Sequence, residues 1–480
     1  MHTPRKPLIL IEFNELTPSL MHRFMEAGKL PNFQKFYSQA HIYTTDAEEE
    51  GNLLNPWVQW VTVHTGLSAA EHGVQNLAEG YRLSAKAVWD YLSDAGFKVW
   101  VCGSMNCRYD RPLNGYLLSD PWSKDTASYP EGEFDAYWNF VAAAVQEHTN
   151  EARSVSKKDA MKFLGFMLRH GLSFQTVRTI IKQLWDERRG RNRWRRAVIL
   201  DRLQWDVFRH VYRKSRPDFA TFFLNSTAHF QHTYWRHLEP ERFQVRPAPQ
   251  EIAEYGGAIE YGYRNMDQLL GELMDLAEPD CTLVFCTALS QQPYLKSEAS
   301  GGRHYYRIKD PSVLTELLGI QDPFEPIPVM AEQLILRFAG EEACQRAKET
   351  LKIYRFKDRS VFHAIPSGRE LSVQCSYSGA IAEDDVITVR DSSRTLRFLD
   401  VFYPMNVLKS GMHHPDGMMW VRHPSREHKV HDGKVSICAI APAILEHFGI
   451  TPPRSNGWPG QSAREPNGAI LQGAAPKVCF

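Results

Sequence analysis

The sequence predicts an α/β protein in which a mostly parallel sheet is flanked by helices and interrupted by a basic helical insertion and a small α+β insertion. Three observations carry this expectation. Short apolar runs alternate with stretches of helical period, the pattern of strand–helix–strand repeats. Residues 151–216 hold 18 Lys and Arg against 6 Asp and Glu, a charge of +12 in a chain whose net charge is zero. Residues 300–400 then lose the alternation. At 480 residues the chain suits one large α/β domain with insertions, or two to three smaller domains. Its 43% hydrophobic and 23% charged residues exclude a disordered, collagen-like or low-complexity chain.

Residues 1–150 read as the first part of the core. Pro7 to Phe13 is a short apolar strand, and Leu20, Phe24, Leu30, Phe33 and Phe36 follow at helical spacing. Ala87, Val88, Tyr91 and Leu92 mark a helix that Gly96 ends, with Phe97 to Cys102 as a buried strand. Residues 151–216 form the basic insertion, whose apolar positions (Met161, Leu164, Leu168, Ile181, Leu184, Val207 among them) fit two or three amphipathic helices, with Arg188 to Arg196 at a turn. This segment is either a solvated helical face or a surface for an anionic membrane, a polyanion or a protein partner. Without a groove-reading motif or interleaved aromatics, nucleic-acid binding is not expected.

Residues 217–299 resume the core with a strand at Phe219 to Leu224, a long helix at Ala253 to Leu276 and a strand at Thr282 to Cys286. The small insertion, 300–400, is expected to hold helices near Ala331 to Phe338 and at Glu341 to Leu351, and strands at Leu371 to Tyr377 and Val386 to Val389. Residues 401–480 close the core with a strand at Gly417 to Val421 and a helix at Ile440 to Phe448.

Zero net charge offers no global field to recruit polyanions. The first apolar run, Leu8 to Ile11, stops at Glu12, too short for a signal-peptide core, and no apolar run is long enough to span a bilayer. A cytoplasmic protein is the expectation. The eight cysteines are scattered without a C-x-x-C, as expected of buried thiols in a reducing compartment.

Five stretches, in order, carry a family resemblance: LILIEFNEL with AGKLPNFQKF; NPWVQWVTVHTGLSAAEHGV, where Ala69 replaces a proline; KAVWDYLSDAGFKVWVCGSMNCRYDRPLNGYLLSD; LNSTAHFQHTYW with TLVFCTALS; and GMHHPDGMMW through SICAIAPAILEHFGITPP. Together they resemble the alkaline phosphatase superfamily, in its type I phosphodiesterase/nucleotide pyrophosphatase-like branch of predicted phosphohydrolases and phosphomutases. The resemblance implies an alkaline-phosphatase-like sheet. It also implies two divalent metals, usually zinc, that activate a Thr or Ser nucleophile and clamp an in-line displacement.

Carried over residue by residue, the implied ligands are mostly replaced. Asn14 and Asn225 stand at two aspartate positions, His229 is retained, and Thr287, Ala288, Leu289 and Ser290 stand where the family has S-D-H-G. His413 or His414 keeps the C-terminal histidine. The nucleophile position falls among Asn52 to Pro56, with Asn55 the closest polar residue. Too little negative charge remains to offset two dications, so no metal and no other cofactor is expected. If the carry-over is shifted, zinc or another divalent metal would use Glu12 or Glu15, Asp416 and the histidines.

Strand alternation puts Glu12 and Asn14 on one face, with Asn14 nearer the carboxyl end where open α/β sheets bind ligands. Glu12, Asn55, His229 and His413 are the candidate catalytic residues, and Glu12 with His229, His232 and His413 would form a metal-free acid/base set. Glu12 has an alternative role, pairing with a buried Arg or His to hold strand ends together. Asn14, Asn225, Trp60, Thr62, His232 and His414 are the candidate ligand-binding residues. Trp57, Trp60 and Trp235 would either stack on a sugar or base or pack in the core.

The expected function is binding of, or action on, a phosphate- or sulfate-bearing small molecule, a nucleotide or a glycan, at an atypical, metal-poor site. The alternatives are an ordinary metal-dependent phosphodiesterase or phosphatase, a non-catalytic binding or scaffold protein, and a metal-free transferase or lyase using Glu12 and a histidine.

Overall fold

The computed structural model describes residues 6–108, 111–123, 128–146, 156–190, 192–296, 298–328, 333–405, 408–452 and 478. Its centre is the strand Leu8–Phe13, buried at every position, which runs parallel between Phe219–Leu224 and Thr282–Cys286. These belong to a nine-stranded sheet in the order Lys429–Ser436, His41–Asp46, Asp416–Arg422, Thr282–Cys286, Leu8–Phe13, Phe219–Leu224, Val99–Cys102, Gly115–Leu118, Ser128–Tyr129. Five adjacent strands from Thr282–Cys286 to Gly115–Leu118 are parallel, and antiparallel pairing is confined to Asp416–Arg422 with its two neighbours and to Ser128–Tyr129. The mostly parallel, helix-flanked sheet expected from the sequence is present.

Alternation along the central strand divides the core. Ile9, Ile11 and Phe13 face the layer of helices Pro18–Glu26, Pro31–Tyr37, Arg196–Ser215 and Ala258–Leu276, where Phe13 meets Phe33, Phe222 and Phe285 edge to face. Leu8 and Leu10 face the opposite layer, built from Pro56–Thr65, Val88–Asp94 and Ile440–His447. Glu12 and Asn14 continue that second face, so a carboxylate and an amide end an otherwise apolar row.

Within 151–216 the three described helices differ in kind. Lys157–Arg169 and Phe174–Arg188 leave many apolar side chains exposed. Arg196–Ser215 instead packs as part of a layer, with Trp205, Val207, Phe208 and Val211 buried and Phe208 against Phe222. Residues 305–405 carry their own core around two four-stranded antiparallel sheets and the helix Glu341–Leu351. Tyr305–Ile308 and Phe402–Met405 pair antiparallel at the two ends of this unit.

Two sequence expectations are corrected. The helix near Ala331 to Phe338 is a strand, Leu334–Phe338, paired with Phe324–Pro328 and Glu370–Cys375; residues 331 and 332 lie outside the described residues. Leu334, Leu336 and Phe338 lie on one face at a period of two, and a run this short fits either period until partners decide it. The single helix at Ala253 to Leu276 is two, Pro249–Tyr255 and Ala258–Leu276, interrupted at Gly256 and Gly257. The seven described cysteines are unpaired and Cys479 lies outside the described residues. Among the described residues no helix is long and apolar enough to cross a membrane.

Asp201 is a buried carboxyl in the helix Arg196–Ser215. It accepts from Ser226 Oγ and from Asn265 Nδ2, the latter at 3.0 Å. Burial pushes its carboxyl up to about 7, although Ser226, Arg202 and Asn265 pull the other way. The folded carboxyl thus holds its proton to higher pH than the ordinary 3.8, and stability falls as pH rises between those values. Asp201→Asn abolishes this titration, so its melting temperature relative to wild type should climb from about pH 4 to about pH 7 and then level off. Calorimetric melting across that range checks it; a pH-independent offset would refute the assignment.

Candidate functional site

The carboxyl ends of three neighbouring parallel strands meet at one place: Asn14 follows Phe13, Asn225 follows Leu224, and Thr287 follows Cys286. The backbone N–H of Asn14 still donates to Leu224 O at 3.0 Å and that of Glu15 to Thr287 O at 3.3 Å, so the turn after the central strand is fixed to both neighbours. Glu15 adopts φ +58, the left-handed region that a side chain with a Cβ rarely occupies. The turn keeps the Glu15 carboxylate beside the Asn14 amide instead of sending it to the opposite face, as strict strand alternation would.

A ladder holds this turn against the helix Pro56–Thr65. Trp60 Nε1 donates to Asn14 Oδ1 at 2.7 Å, and His64 Nε2 lies 2.8 Å from Glu12 Oε1. Residues four apart on a helix and two apart on a strand rise by similar distances, so Trp60 and His64 can meet Asn14 and Glu12 rung for rung. Ser104 Oγ donates to the other Glu12 oxygen at 2.7 Å and neighbours Thr221 Oγ1 at the same distance. Glu12 and His64 are essentially inaccessible, which places Glu12 under the site, paired with a buried histidine.

Above the ladder, the Asn14 amide nitrogen donates to Glu15 Oε1 at 2.8 Å and to Asn225 Oδ1 at 2.7 Å. Glu15 Oε2 then gathers three more nitrogens: Gln291 Nε2 at 2.6 Å, His232 Nε2 at 3.0 Å and His413 Nε2 at 3.4 Å. Gln291 and His413 are cross-strand partners, because Ser290–Pro293 pairs antiparallel with Gly411–His414 in that register. Gly411 permits the close approach of the two elements: a Cβ there would lie 2.5 Å from Gln291 Oε1 and 2.6 Å from Gln231 O. His232 comes from the helix Ser226–Leu238, anchored by the buried two-pronged pair of Arg236 with Glu298 and by Gln231, which donates to Glu15 O at 2.7 Å.

Burial would raise the Glu15 carboxyl, but His413 and His232, with hydrogen bonds from His232 and Gln291, hold it down at about 2. The bonds from His232 and Gln291 persist whatever the charge on His413. Burial pushes His413 down to about 4, only partly offset by Glu15 and by its bond to the Leu54 backbone. At neutral pH Glu15 is therefore a carboxylate and His413 a neutral imidazole. His232 has Glu15 on one ring nitrogen and Gly411 O at 3.3 Å on the other. Both are acceptors, so the ring is held by the protein from two sides. His232 is about a third exposed, which leaves it open to a ligand.

The structure thus gathers Asn14, Asn225, His232 and His413 around Glu15, with Trp60 as a buried support that contributes its N–H and not an open ring face. Asn55 precedes the helix Pro56–Thr65, its amide on Asn52 O at 2.6 Å, next to the Leu54 backbone that meets His413. His229 lies on the exposed side of its helix, outside the gathered set. Thr62 faces His72 Nε2 at 3.2 Å, and His414 Nδ1 receives the Asp416 backbone N–H at 3.1 Å. Neither belongs to the gathered set. Asp416 pairs with Lys434, Trp57 donates to Gln75 O, and Trp235 donates to Glu239.

Sequence reasoning gave no role to Gln291, Gln231 or His64 and mentioned Glu15 only as a fallback ligand. The spacing of Trp60 and His64 against Asn14 and Glu12 was the one available signal. Glu15, His232 and His413 each offer a ligand atom, all within 4.8 Å of one another, the one such metal-capable group among the described residues.

Comparison with solved structures gives full-length but distant similarity. Phosphonoacetate hydrolase of Sinorhizobium meliloti 1021 is 15% identical, covering 92% of this chain and 96% of its own, with a TM-score of 0.42. Murine ectonucleotide pyrophosphatase/phosphodiesterase 5 is 10% identical, covering 94% and 97%, with a TM-score of 0.44. The human counterpart is 11% identical, with the same coverage and a TM-score of 0.41. No curated protein sequence matches the chain. The model of the family described as type I phosphodiesterase / nucleotide pyrophosphatase matches residues 8–289, from the central strand through the turn after Cys286. That match takes in more than half of the chain and contains Glu15, Asn225 and His232, so the protein belongs to the type I phosphodiesterase / nucleotide pyrophosphatase family of the alkaline phosphatase superfamily.

Proposed function

We propose that the protein binds or turns over a phosphate- or sulfate-bearing small molecule, a nucleotide or a glycan ester, at the strand ends around Glu15, by a route that does not use a pair of metal ions. The observation that carries this reading is the 2.7 Å bond between the amides of Asn14 and Asn225. These positions resemble the family's metal-binding aspartates. Two carboxylates this close would repel and call for a cation between them, whereas two amides bond directly and supply no anionic ligand.

In this reading the working groups are the protein's own. Glu15 stays ionised and orients His232, whose ring would exchange a proton with a substrate oxygen through Nδ1, giving up its 3.3 Å contact with Gly411 O. The start of the helix Pro56–Thr65, at Asn55, offers partial positive charge to an oxyanion. No Ser or Thr lies between Asn52 and Pro56, so water is the attacking group in a hydrolytic version.

One observation favours a second reading, a metal-dependent phosphodiesterase with a single divalent cation. A carboxylate and two imidazoles within 4.8 Å match the donor set of open zinc sites, which keep a position for water or substrate. Glu15, His232 and His413 would hold such an ion, which would polarise a phosphoryl oxygen.

Elemental analysis of untagged protein purified without chelator, paired with thermal-shift titrations of nucleotides and sulfated sugars, separates the readings. The first expects substoichiometric metal and a ligand-induced rise in melting temperature that Glu15→Gln or His232→Ala removes. About one metal per chain, lost in His413→Ala, would establish the second. About two per chain would overturn the reading of Asn14 and Asn225. Neither metal nor ligand response would leave a scaffold without small-molecule function.

Asn14→Asp supplies an independent check. It replaces a two-proton donor by an acceptor beside ionised Glu15, and should cost about 1–3 kcal/mol in metal-free denaturant unfolding. Unchanged stability would mean that the amide bonds do not hold the site together.

A further inference from the structure

The family reading leaves two helices without a task. Lys157–Arg169 and Phe174–Arg188 each bury one stripe, Phe166 and Met167 in the first, Thr176 and Gln183 in the second. Each presents an apolar stripe outward. Met161, Leu164 and Leu168 recur at helical spacing on the first, with Met161 and Leu168 about two-thirds exposed (68% and 67%). On the second, Phe174 is 83% exposed, and Ile181, Leu184 and Trp185 are all more than half exposed. Exposed large apolar side chains elsewhere among the described residues are scattered, and scattered ones need no explanation.

The charge around these stripes is one-sided. Residues 156–190 hold eight Lys and Arg against three Asp and Glu. Among the described residues, Lys157, Lys158, Lys162, Arg178 and Lys182 pair with no carboxylate, while Glu187 is engaged by Arg196. The guanidinium of Arg189 lies over Trp185 at 5.1 Å. On a helical projection Lys158, Lys162 and Arg169 flank the outward stripe of the first helix, and Arg178 and Lys182 flank that of the second.

From this combination we infer that the outward faces of Lys157–Arg169 and Phe174–Arg188 form a docking surface for an anionic lipid bilayer. Phe174, Ile181, Leu184, Trp185, Leu164 and Leu168 would enter the acyl boundary, and the lysines and arginines would lie at the headgroups. The chemistry matches interfacial helices: an apolar stripe with an aromatic at its edge and basic flanks, the one acidic residue at its margin, Glu187, being neutralised by Arg196. A protein partner would have to supply a matching acidic and apolar face, whereas an anionic leaflet supplies both at any orientation. Attachment here leaves Glu15 and its partners untouched, since none of them lies on these helices.

The full chain should be sedimented with extruded vesicles of phosphatidylcholine alone and of phosphatidylcholine with about 30 mol% phosphatidylglycerol. Binding is expected to the anionic vesicles and to weaken as salt is raised. The triple variant Phe174→Ser/Ile181→Ser/Trp185→Ser should lower the partition coefficient at least about tenfold. Lys158→Glu/Lys162→Glu/Lys182→Glu should remove the preference for anionic lipid. Both sets change exposed residues, and unchanged melting temperature confirms that each variant is folded. Quenching of Trp185 by brominated lipid, absent in Trp185→Phe, locates the contact.

No vesicle binding, or binding unchanged in the serine variant, overturns the proposal. So does light scattering that finds a dimer of the free chain which the serine variant dissociates, since the face would then belong to a second copy.

Discussion

The side-chain amide of Asn14 is the interaction on which the site depends. Its oxygen takes the Trp60 indole proton and its nitrogen serves Glu15 and Asn225, so one side chain joins the helix Pro56–Thr65, the turn after the central strand and the helix Ser226–Leu238. Only an amide can do this. An ionised carboxylate in the same place could still accept from Trp60 but could donate to neither of the others. Since the contacts are buried or nearly so, each unmade bond would leave a desolvated polar group, and the three elements would lose their common register.

How much of this was legible in the sequence depends on how far each local rule reaches. Period-two alternation in LILIEFN placed Glu12 and Asn14 on one face, and both rungs of the ladder lie there. The same rule ends at Phe13. Glu15 follows at φ +58, and nothing in its sequence context announces a left-handed turn at a glutamate, so the carboxylate at the centre of the site was missed as a central group. His229 was chosen by motif position, yet the helix docks through Phe230, Gln231, Trp235 and Arg236 and presents His232 inward, a rotation that tertiary packing sets. Gln291 and His413 meet only because two short strands pair in one register across more than a hundred residues, which no local pattern encodes. The core strands were legible for the converse reason: each is a short apolar run bounded by turn residues, and burial on both faces leaves such runs little alternative.

The electrostatics of the site follow from the same exchange of acids for amides. A buried carboxylate is costly unless donors surround it, and Glu15 has Asn14, Gln291 and His232 in direct contact, with His413 slightly farther away. Glu15 therefore remains ionised under burial, and its charge is largely spent on the protein. What the site offers outward is the partly exposed ring of His232 and the helix start at Asn55. The Glu12–His64 pair beneath it is sealed and joins the strand to the helix.

The +12 segment is likewise two things joined. Its last helix, Arg196–Ser215, spends its charges internally: Arg202 bonds Glu272 and Asn265, Asp201 meets Ser226, and Asp206 receives the backbone N–H of Ser173. These contacts tie the layer beside the sheet to the helix that delivers His232. In the two helices before it, Lys157, Lys158, Lys162, Arg178 and Lys182 pair with no carboxylate among the described residues. Because surface α-helices normally turn their apolar stripe inward, large apolar side chains left outward on both helices depart from that pattern. The basic charge follows the same division, structural where the helix is packed and unpaired where the apolar surface is free.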